Sequence, residues 1–581
     1  MTNILLKSKI FSLFDQSQKV DSIKLFSLMV LSAIAELFSL SLLIVILNFF
    51  LKEDFYYQYE FIFPFLDNLP FFSKENLLFF FLGVFFIIFL LKFLILIYYS
   101  WVESKFMAQF REKLSNNLFK NFLYRDPTQL LKKNSSEYLR NFTSEVEQTT
   151  HFYHSIFKIA TDSIILIALF TFLLIFNPKI SITVAIIFSL LSLSYYFTIR
   201  NSVLFWGKKN LKSKKKGIQF INESFSAIKY IKMLSKEKYF YEKLTQENSI
   251  LANIKFKMSF VNSLPRNVLE FFLFITILIL IMILFRNNYD LNEIIKIMSV
   301  YIITAFRLIP SGNRILASVQ LLRFSFPSFE KMLKEKNTKV IKKDHKSTVF
   351  PFKDLIKIEV KNFKYEDGKN FKIKKIKLKI LKKLRVGIIG PSGSGKSTLV
   401  NIICGLTTNK SCNVYSDGIN IKQNLEGWQK NIGYIPQNIV ILNTSLRDNI
   451  LFGSKRKDYN DKKILKIIKK ANLINFYKKL PKGLSSIIKE EGLNISGGEI
   501  QRIGIARALL HDPEIIIMDE STSALDTFTE NQILKEIKFL RKTTIFVSHR
   551  LNSLKFCNKI YGIDKGVLKK IENFNKMIKG Q

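Results

Sequence analysis

The chain has 581 residues, more than one hydrophobic core can organise, so at least two domains are expected. Its 88 Lys and Arg against 46 Asp and Glu give a formal net charge of +42, and 56 of its residues are Phe. The Lys excess runs through every region of the chain alongside abundant Ile, Asn and Phe, as an AT-rich coding bias produces; this argues against a nucleic-acid partner and for attraction to anionic membrane lipids.

Residues 1–20 alternate Lys with apolar residues and lack the compact apolar core of a signal peptide, so an amphipathic helix on the inner membrane surface is expected. Six apolar stretches then have the roughly 20 residues needed to cross hydrocarbon: about Ile23–Leu51, Leu77–Trp101, Ser155–Asn177, Ile180–Arg200, Phe260–Phe285 and Ile294–Leu322. Between the first two, residues 52–76 crowd Phe and Tyr among Glu53, Asp54, Glu60 and Asp67, a pattern that predicts a short helix on the outer surface. Spans two to three and four to five are joined by long Lys-rich segments. The second of these carries Lys208, Lys209, Lys212, Lys214, Lys215 and Lys216, which puts that end and both termini in the cytoplasm. The helical composition of these connections predicts that spans two to five continue as helices beyond the bilayer.

Ionisable residues inside spans are costly and face a cavity or a partner. Lys92, Arg266, Arg307 and Arg314 lie toward the cytoplasmic halves of their spans. Arg307 and Arg314 are seven residues apart and share a helix face, with Pro310 and Gly312 between them. One reading is a cationic layer, doubled in a dimer, that binds an anionic lipid or a pyrophosphate head group through bidentate Arg contacts. The other is that these side chains snorkel to lipid phosphates or pair with Glu36, Asp162 or Glu270.

We place the membrane domain at 1–325, a Lys-rich linker at 326–354 and a soluble α/β domain at 355–581. In the last, the apolar run Val386–Ile389 reads as a buried strand and leads into Gly390-Pro391-Ser392-Gly393-Ser394-Gly395-Lys396-Ser397, followed by Thr398 and an apolar helix. This is a complete P-loop in its strand–loop–helix context. Its backbone N–H groups are expected to cradle the phosphates of ATP, Lys396 to reach the β/γ-phosphates and Ser397 to bind Mg²⁺. A second apolar run, Ile515–Met518, ends in Asp519-Glu520: Asp519 is the expected Mg²⁺ ligand and Glu520 the residue that polarises the attacking water. The cysteines Cys404, Cys412 and Cys557 have no metal-ligand spacing and read as packing residues.

Between these motifs lies Asn494-Ile495-Ser496-Gly497-Gly498-Glu499, which resembles the signature of the ABC transporter family. The resemblance implies a six-span helical membrane domain followed by a P-loop ABC ATPase domain, Mg²⁺ and ATP as cofactors, and a second copy of the chain, because the signature Ser496, Gly497, Gly498 and Glu499 face the nucleotide held by a partner. It also implies roles for Tyr365 on adenine, Gln437 as a Mg²⁺ ligand, Glu490 before the signature, Ser523–Asp526 as the D-loop and His549 on the γ-phosphate. Glu499 stands where the family usually has Gln, and Ser521 where Ala or Pro is common.

The stretch Phe306–Arg314, with Leu264-Pro265-Arg266, Glu36 and Lys92, resembles bacterial lipid-linked oligosaccharide flippases of the Pgl N-glycosylation type. That resemblance implies ATP-driven flipping of a polyprenyl-diphosphate-linked oligosaccharide across the bacterial cytoplasmic membrane by a homodimer, with Lys92, Arg266, Arg307 and Arg314 binding the substrate. The alternatives are an exporter of another amphiphile, such as a lipid A-type lipid, a drug or a peptide, and a membrane protein that senses ATP without turnover.

Overall fold

The computed structural model describes residues 11–51, 77–130, 135–286, 291–338, 348–364, 373–407, 411–489, 495–520, 526–549 and 551–572. The expected outer-surface helix at 52–76, Tyr365, Glu490, Asn494 and Ser521–Leu525 lie outside them, as does the first half of the expected amphipathic segment. The chain divides into two compact units. One is built from Met1–Leu123 and Lys133–Thr338, the other from Tyr124–Lys132 and Lys339–Gln581.

Among the described residues the first unit contains six long helices: α1 (Gln16–Leu51), α2 (Leu77–Leu123), α3 (Val146–Phe176), α4 (Pro178–Ser226), α5 (Glu237–Arg286) and α6 (Leu291–Lys336). As the polar connections predicted, α2, α4 and α5 run to 47, 49 and 50 residues, far more than the ~20 that cross hydrocarbon. Five helical stretches, in α1 to α5, are long and apolar enough to span a membrane among the described residues. The sixth expected span belongs to α6, which carries Arg307, Arg314 and Arg323 and two internal prolines, and does not reach that apolar standard. The helix also continues through the first third of the expected linker, to Lys336.

The polar residues of α1 fit its apolar helix because Ser22, Ser27, Ser32 and Ser39 each donate their hydroxyl to the carbonyl three residues back. The turn from α3 to α4 is made by one extended residue, Asn177, whose side chain caps α4 at the Ile180 N–H while Pro178 starts the helix. An aromatic cluster joins α2, α3 and α6: Phe152 stacks on Phe329 with centroids 4.3 Å apart, and Tyr153 packs edge-on to Phe110.

The second unit is α/β. A six-stranded sheet has the order β10-β9-β3-β8-β7-β6, with β3 (Arg385–Ile389), β6 (Ile432–Ile435), β7 (Ile515–Asp519), β8 (Thr543–Val547), β9 (Lys559–Asp564) and β10 (Val567–Lys570). Its pairings are parallel except β9 with β10. Every residue of β7 and β8 is buried, which is why they read as unbroken apolar runs: a parallel strand covered on both faces has no solvent side. A second, antiparallel sheet has the order β2-β1-β4-β5, built from β1 (Leu355–Val360), β2 (Ile376–Leu381), β4 (Cys412–Ser416) and β5 (Ile419–Asn420); β2 alternates buried and exposed residues as a half-covered strand must. Helix α7 (Lys396–Ile403) follows β3, α8 (Gly497–Leu509) precedes β7 and α9 (Thr527–Phe539) follows it. Cys404 and Cys412 are buried and Cys557 is half-buried, all as free thiols. Burial pushes the Cys404 and Cys557 thiols up to about 12, so they pack and do not react.

Candidate nucleotide site and intramembrane ion pairs

Parallel α/β sheets present their ligand sites at the carboxyl ends of the strands, where the chain reverses direction around the sheet. The predicted site residues assemble there. Gly390–Gly395 follow β3, Asp519 ends β7 and Glu520 follows it, and His549 lies two residues past β8; Gln437 lies two residues past β6. Four separate strands deliver one site.

The loop after β3 is shaped by glycine. Gly395 has φ +111°, a left-handed conformation that costs a side chain, and it turns the chain into α7. At Gly390 a Cβ would lie 2.1 Å from the Ile563 carbonyl oxygen, so only glycine fits against β9. The Ser394 hydroxyl is buried without a hydrogen-bond partner, and Ser397 and Ser392 are exposed. A backbone cradle, an unused buried hydroxyl and the buried cation Lys396 form the donor set that a nucleotide phosphate requires.

Lys396 is 7% exposed and donates to the carbonyls of Gly390 and Pro391, at 2.8 and 3.0 Å, with Glu520 3.8 Å away. The Asp519 carboxyl is held above its usual range, first by burial and then by the adjacent charge of Glu520; Lys396 and the Tyr434 hydroxyl pull the other way. A buried carboxyl so placed is relieved by a divalent cation, and with Ser397 and Gln437 it fits Mg²⁺.

Glu520 has φ +48°, unusual for a non-glycine residue, and its N–H donates to Val547 of β8. Its carboxylate accepts from the Gln437 amide at 2.9 Å and lies 3.7 Å from His549 Nδ1. Thus Gln437, Lys396 and His549 surround the carboxylate that the sequence assigns to the attacking water.

At the signature, Ser496 caps α8: the Glu499 N–H donates to the Ser496 hydroxyl at 3.3 Å, and the Ser496 N–H donates to the Glu499 carboxylate at 2.7 Å. This reciprocal box gives the departure from Gln a physical role, because Glu499 places a negative charge on the helix N-terminus. Sequence reasoning missed two residues. Tyr434, on β6, bonds to Asp519, and its neighbouring strand position was the available signal. Arg507, on α8, donates to the carbonyls of Asn449 and Val440 and lies over Phe452; burial pulls its guanidinium down to about 10. It ties the signature helix to the segment that follows Gln437.

The four predicted substrate cations each have a carboxylate. Glu36, 7% exposed, is shared by Lys92 at 2.6 Å and Arg307 at 3.0 Å, and Lys92 also donates to Ser39. Arg314 pairs with Asp162 at 2.7 Å, and Arg266 pairs with Glu270 one turn along the same helix. The structure therefore brings Lys92 and Arg307 together on Glu36, but gives Arg314 and Arg266 separate partners. Arg266 is also largely exposed, with 69% of its side chain accessible. An uncompensated layer of cations is not what forms: charges taken out of water are retained by pairing.

Residues 22–306 match the model of the ABC transporter transmembrane region and residues 373–523 that of the ABC transporter family. The chain belongs to the ABC transporter family and has the architecture of an ABC exporter half-transporter, a class in which an ATP hydrolase is coupled to transport. Its fold resembles that of a bacterial Atm1-family ABC exporter with ATP bound, with TM-score 0.78 and 18% identity over 97% of both chains. A putative export ATP-binding/permease protein of Rickettsia bellii is 28% identical over 81% of this chain and 83% of its own length. The mitochondrial iron-sulfur clusters transporter ATM1 of Kluyveromyces lactis is 34% identical, and the ATP-dependent lipid A-core flippase of Wigglesworthia glossinidia brevipalpis is 37% identical. Those two alignments cover 44% and 38% of this chain, and only 36% and 39% of the relatives' length.

Proposed function

We propose that two copies of this chain form an ATP-driven exporter in a bacterial cytoplasmic membrane, and that its cargo is an amphiphile with an anionic head group, namely a polyprenyl-diphosphate-linked oligosaccharide. The observation that carries the ATP-driven part is the convergence of Gln437, Lys396 and His549 on the carboxylate of Glu520 at the ends of four strands.

The P-loop N–H groups and Lys396 would hold the phosphates of ATP, and Ser397, Gln437 and Asp519 its Mg²⁺. Bound Mg–ATP supplies an electrophilic γ-phosphorus and a stabilised leaving group. Glu520 orients a water and accepts its proton, while Gln437 and His549, each against that carboxylate, set its direction. Lys396 exchanges two loop carbonyls for phosphate oxygens, a stronger charge-assisted contact. Ser496, Gly497 and Gly498 open α8 toward the nucleotide of the second copy, and hydrolysis resets the closed dimer.

For the cargo, support comes from α6: Arg307 and Arg314 keep 47% and 49% of their side chains accessible while bound to Glu36 and Asp162. Each guanidinium retains donors for a diphosphate. A second reading, export of another amphiphile such as a lipid A-type lipid or a drug, is favoured by the carboxylates themselves. They leave the four cations with three opposing charges, a weak field for a strongly charged head group.

Proteoliposome translocation of a polyprenyl-diphosphate oligosaccharide, wild type against Glu520→Gln, tests both parts. ATP-dependent movement by wild type alone is expected. Robust ATP hydrolysis without movement of this lipid would retain the exporter and transfer the cargo to the second reading.

A further inference from the structure

Two cavities open between α3, α4, α5 and α6, of about 500 Å³ and about 70 Å³, and both are lined by Val184, Ile187, Thr276 and Leu280. They lie side by side as one apolar slot. On α4 its wall runs from Pro178 to Phe188, ~15 Å of helix rise, and on α5 from Leu284 to Leu269, ~22 Å. That is the scale of one leaflet, half of the ~30 Å hydrocarbon layer.

The slot's hydroxyls are satisfied within the protein: Thr183 donates to the Lys179 carbonyl, Thr276 to the Phe272 carbonyl, and the Tyr301 hydroxyl bonds Ser181. Asn177 accepts from the Ile180 N–H. A lining that is mostly apolar, with its hydroxyls already bonded, suits a hydrocarbon chain better than ordered water. At the mouth, the exposed ammonium of Lys179 stands at the start of α4, the end opposite the Lys-rich stretch Lys208–Lys216. A long apolar slot ending at one exposed cation has the shape and charge of a site for a lipid with an anionic head.

We propose that this slot binds an anionic phospholipid of the leaflet at that end, with one acyl chain between α4 and α5 and the phosphate on Lys179. The site is independent of which amphiphile the protein exports and of the Glu36 and Asp162 ion pairs.

The full chain, purified in detergent, would be titrated with dioleoyl phosphatidylglycerol and with dioleoyl phosphatidylcholine, and bound lipid read by native mass spectrometry. One phosphatidylglycerol per protomer is expected, about fivefold tighter than phosphatidylcholine. Lys179→Gln should remove that preference and leave the weaker binding of both lipids. Val184→Trp and Ile279→Trp, which fill the slot from opposite walls, should each abolish binding; the ATP hydrolysis rate reports which variants are folded, and Lys179→Gln, on the surface, tests the site even if neither filled variant folds. Equal binding of both lipids by wild type, or undiminished binding in a folded filled variant, would overturn the proposal. So would displacement of phosphatidylglycerol by a polyprenyl diphosphate at equal concentration, since the slot would then belong to the exported lipid.

Discussion

Lys396 and Lys92 are both buried lysines facing a glutamate, and the difference between them separates a catalytic cation from a structural one. Lys396 is held by two carbonyls of its own loop, with Glu520 at 3.8 Å, outside hydrogen-bond range. Lys92 touches Glu36 at 2.6 Å and Ser39 at 3.0 Å, and Glu36 also holds Arg307 from another helix. The first cation is loosely satisfied and ready to exchange partners. The second is locked into a three-helix cross-link, and removing Glu36 strands the buried ammonium of Lys92 away from water.

The sharpest break of this contrast is on the catalytic side. Glu520→Gln should lower ATP hydrolysis by roughly 10²–10⁴-fold, as loss of a positioned base does, with thermal stability near that of wild type; phosphate release measures it. On the structural side, Glu36→Ala should destabilise the membrane unit by about 3–5 kcal/mol, read by thermal unfolding in detergent, because Lys92 and Arg307 lose their shared carboxylate. Glu36→Leu combined with Lys92→Met should restore most of that loss. If the restored protein also transports, the ion pairs serve packing alone; if it folds and does not transport, they belong to the cargo path.

A smaller effect is expected at the signature. Ser496→Ala removes the cap of α8 and should cost about 1 kcal/mol in stability, measured by denaturant unfolding, besides its effect on hydrolysis. The smallest concerns Asp519. Burial raises its carboxyl, so the folded domain binds that proton more tightly than the unfolded chain; the associated stability is present at low pH and is lost as pH rises through the raised folded value. Asp519→Asn should therefore raise the thermal midpoint of the nucleotide-free protein at neutral pH while abolishing Mg²⁺-dependent hydrolysis. A midpoint unchanged from pH 5 to pH 8 relative to wild type would remove the electrostatic cost assigned to this site.

The nucleotide site was legible because its parts are contiguous words in the sequence. Gly390–Ser397 must turn a backbone around a phosphate, and Asp519-Glu520 must end a buried strand; local sterics impose those residue types wherever the motif occurs. The long helices α2, α4 and α5 were legible for a similar reason: an apolar stretch followed by Lys-rich helical composition has no other low-energy conformation at a membrane surface. Tyr434 and Arg507 were not legible, since an aromatic in a strand and an arginine in a helix acquire their roles only from neighbours that arrive from distant segments.

The sequence by itself determined the two-domain plan, the P-loop, the paired acidic residues after β7 and the presence of costly charges in apolar helices. Only the tertiary structure decided the fate of those charges. Lys92 lies 53 residues from Ser39 and Arg314 lies 152 from Asp162, and no periodicity couples such distances. A buried charge must find an opposite charge, but which one depends on how helices pack. The slot between α4 and α5 belongs to the same category, because a void is a property of the gap between helices and is written in none of them singly.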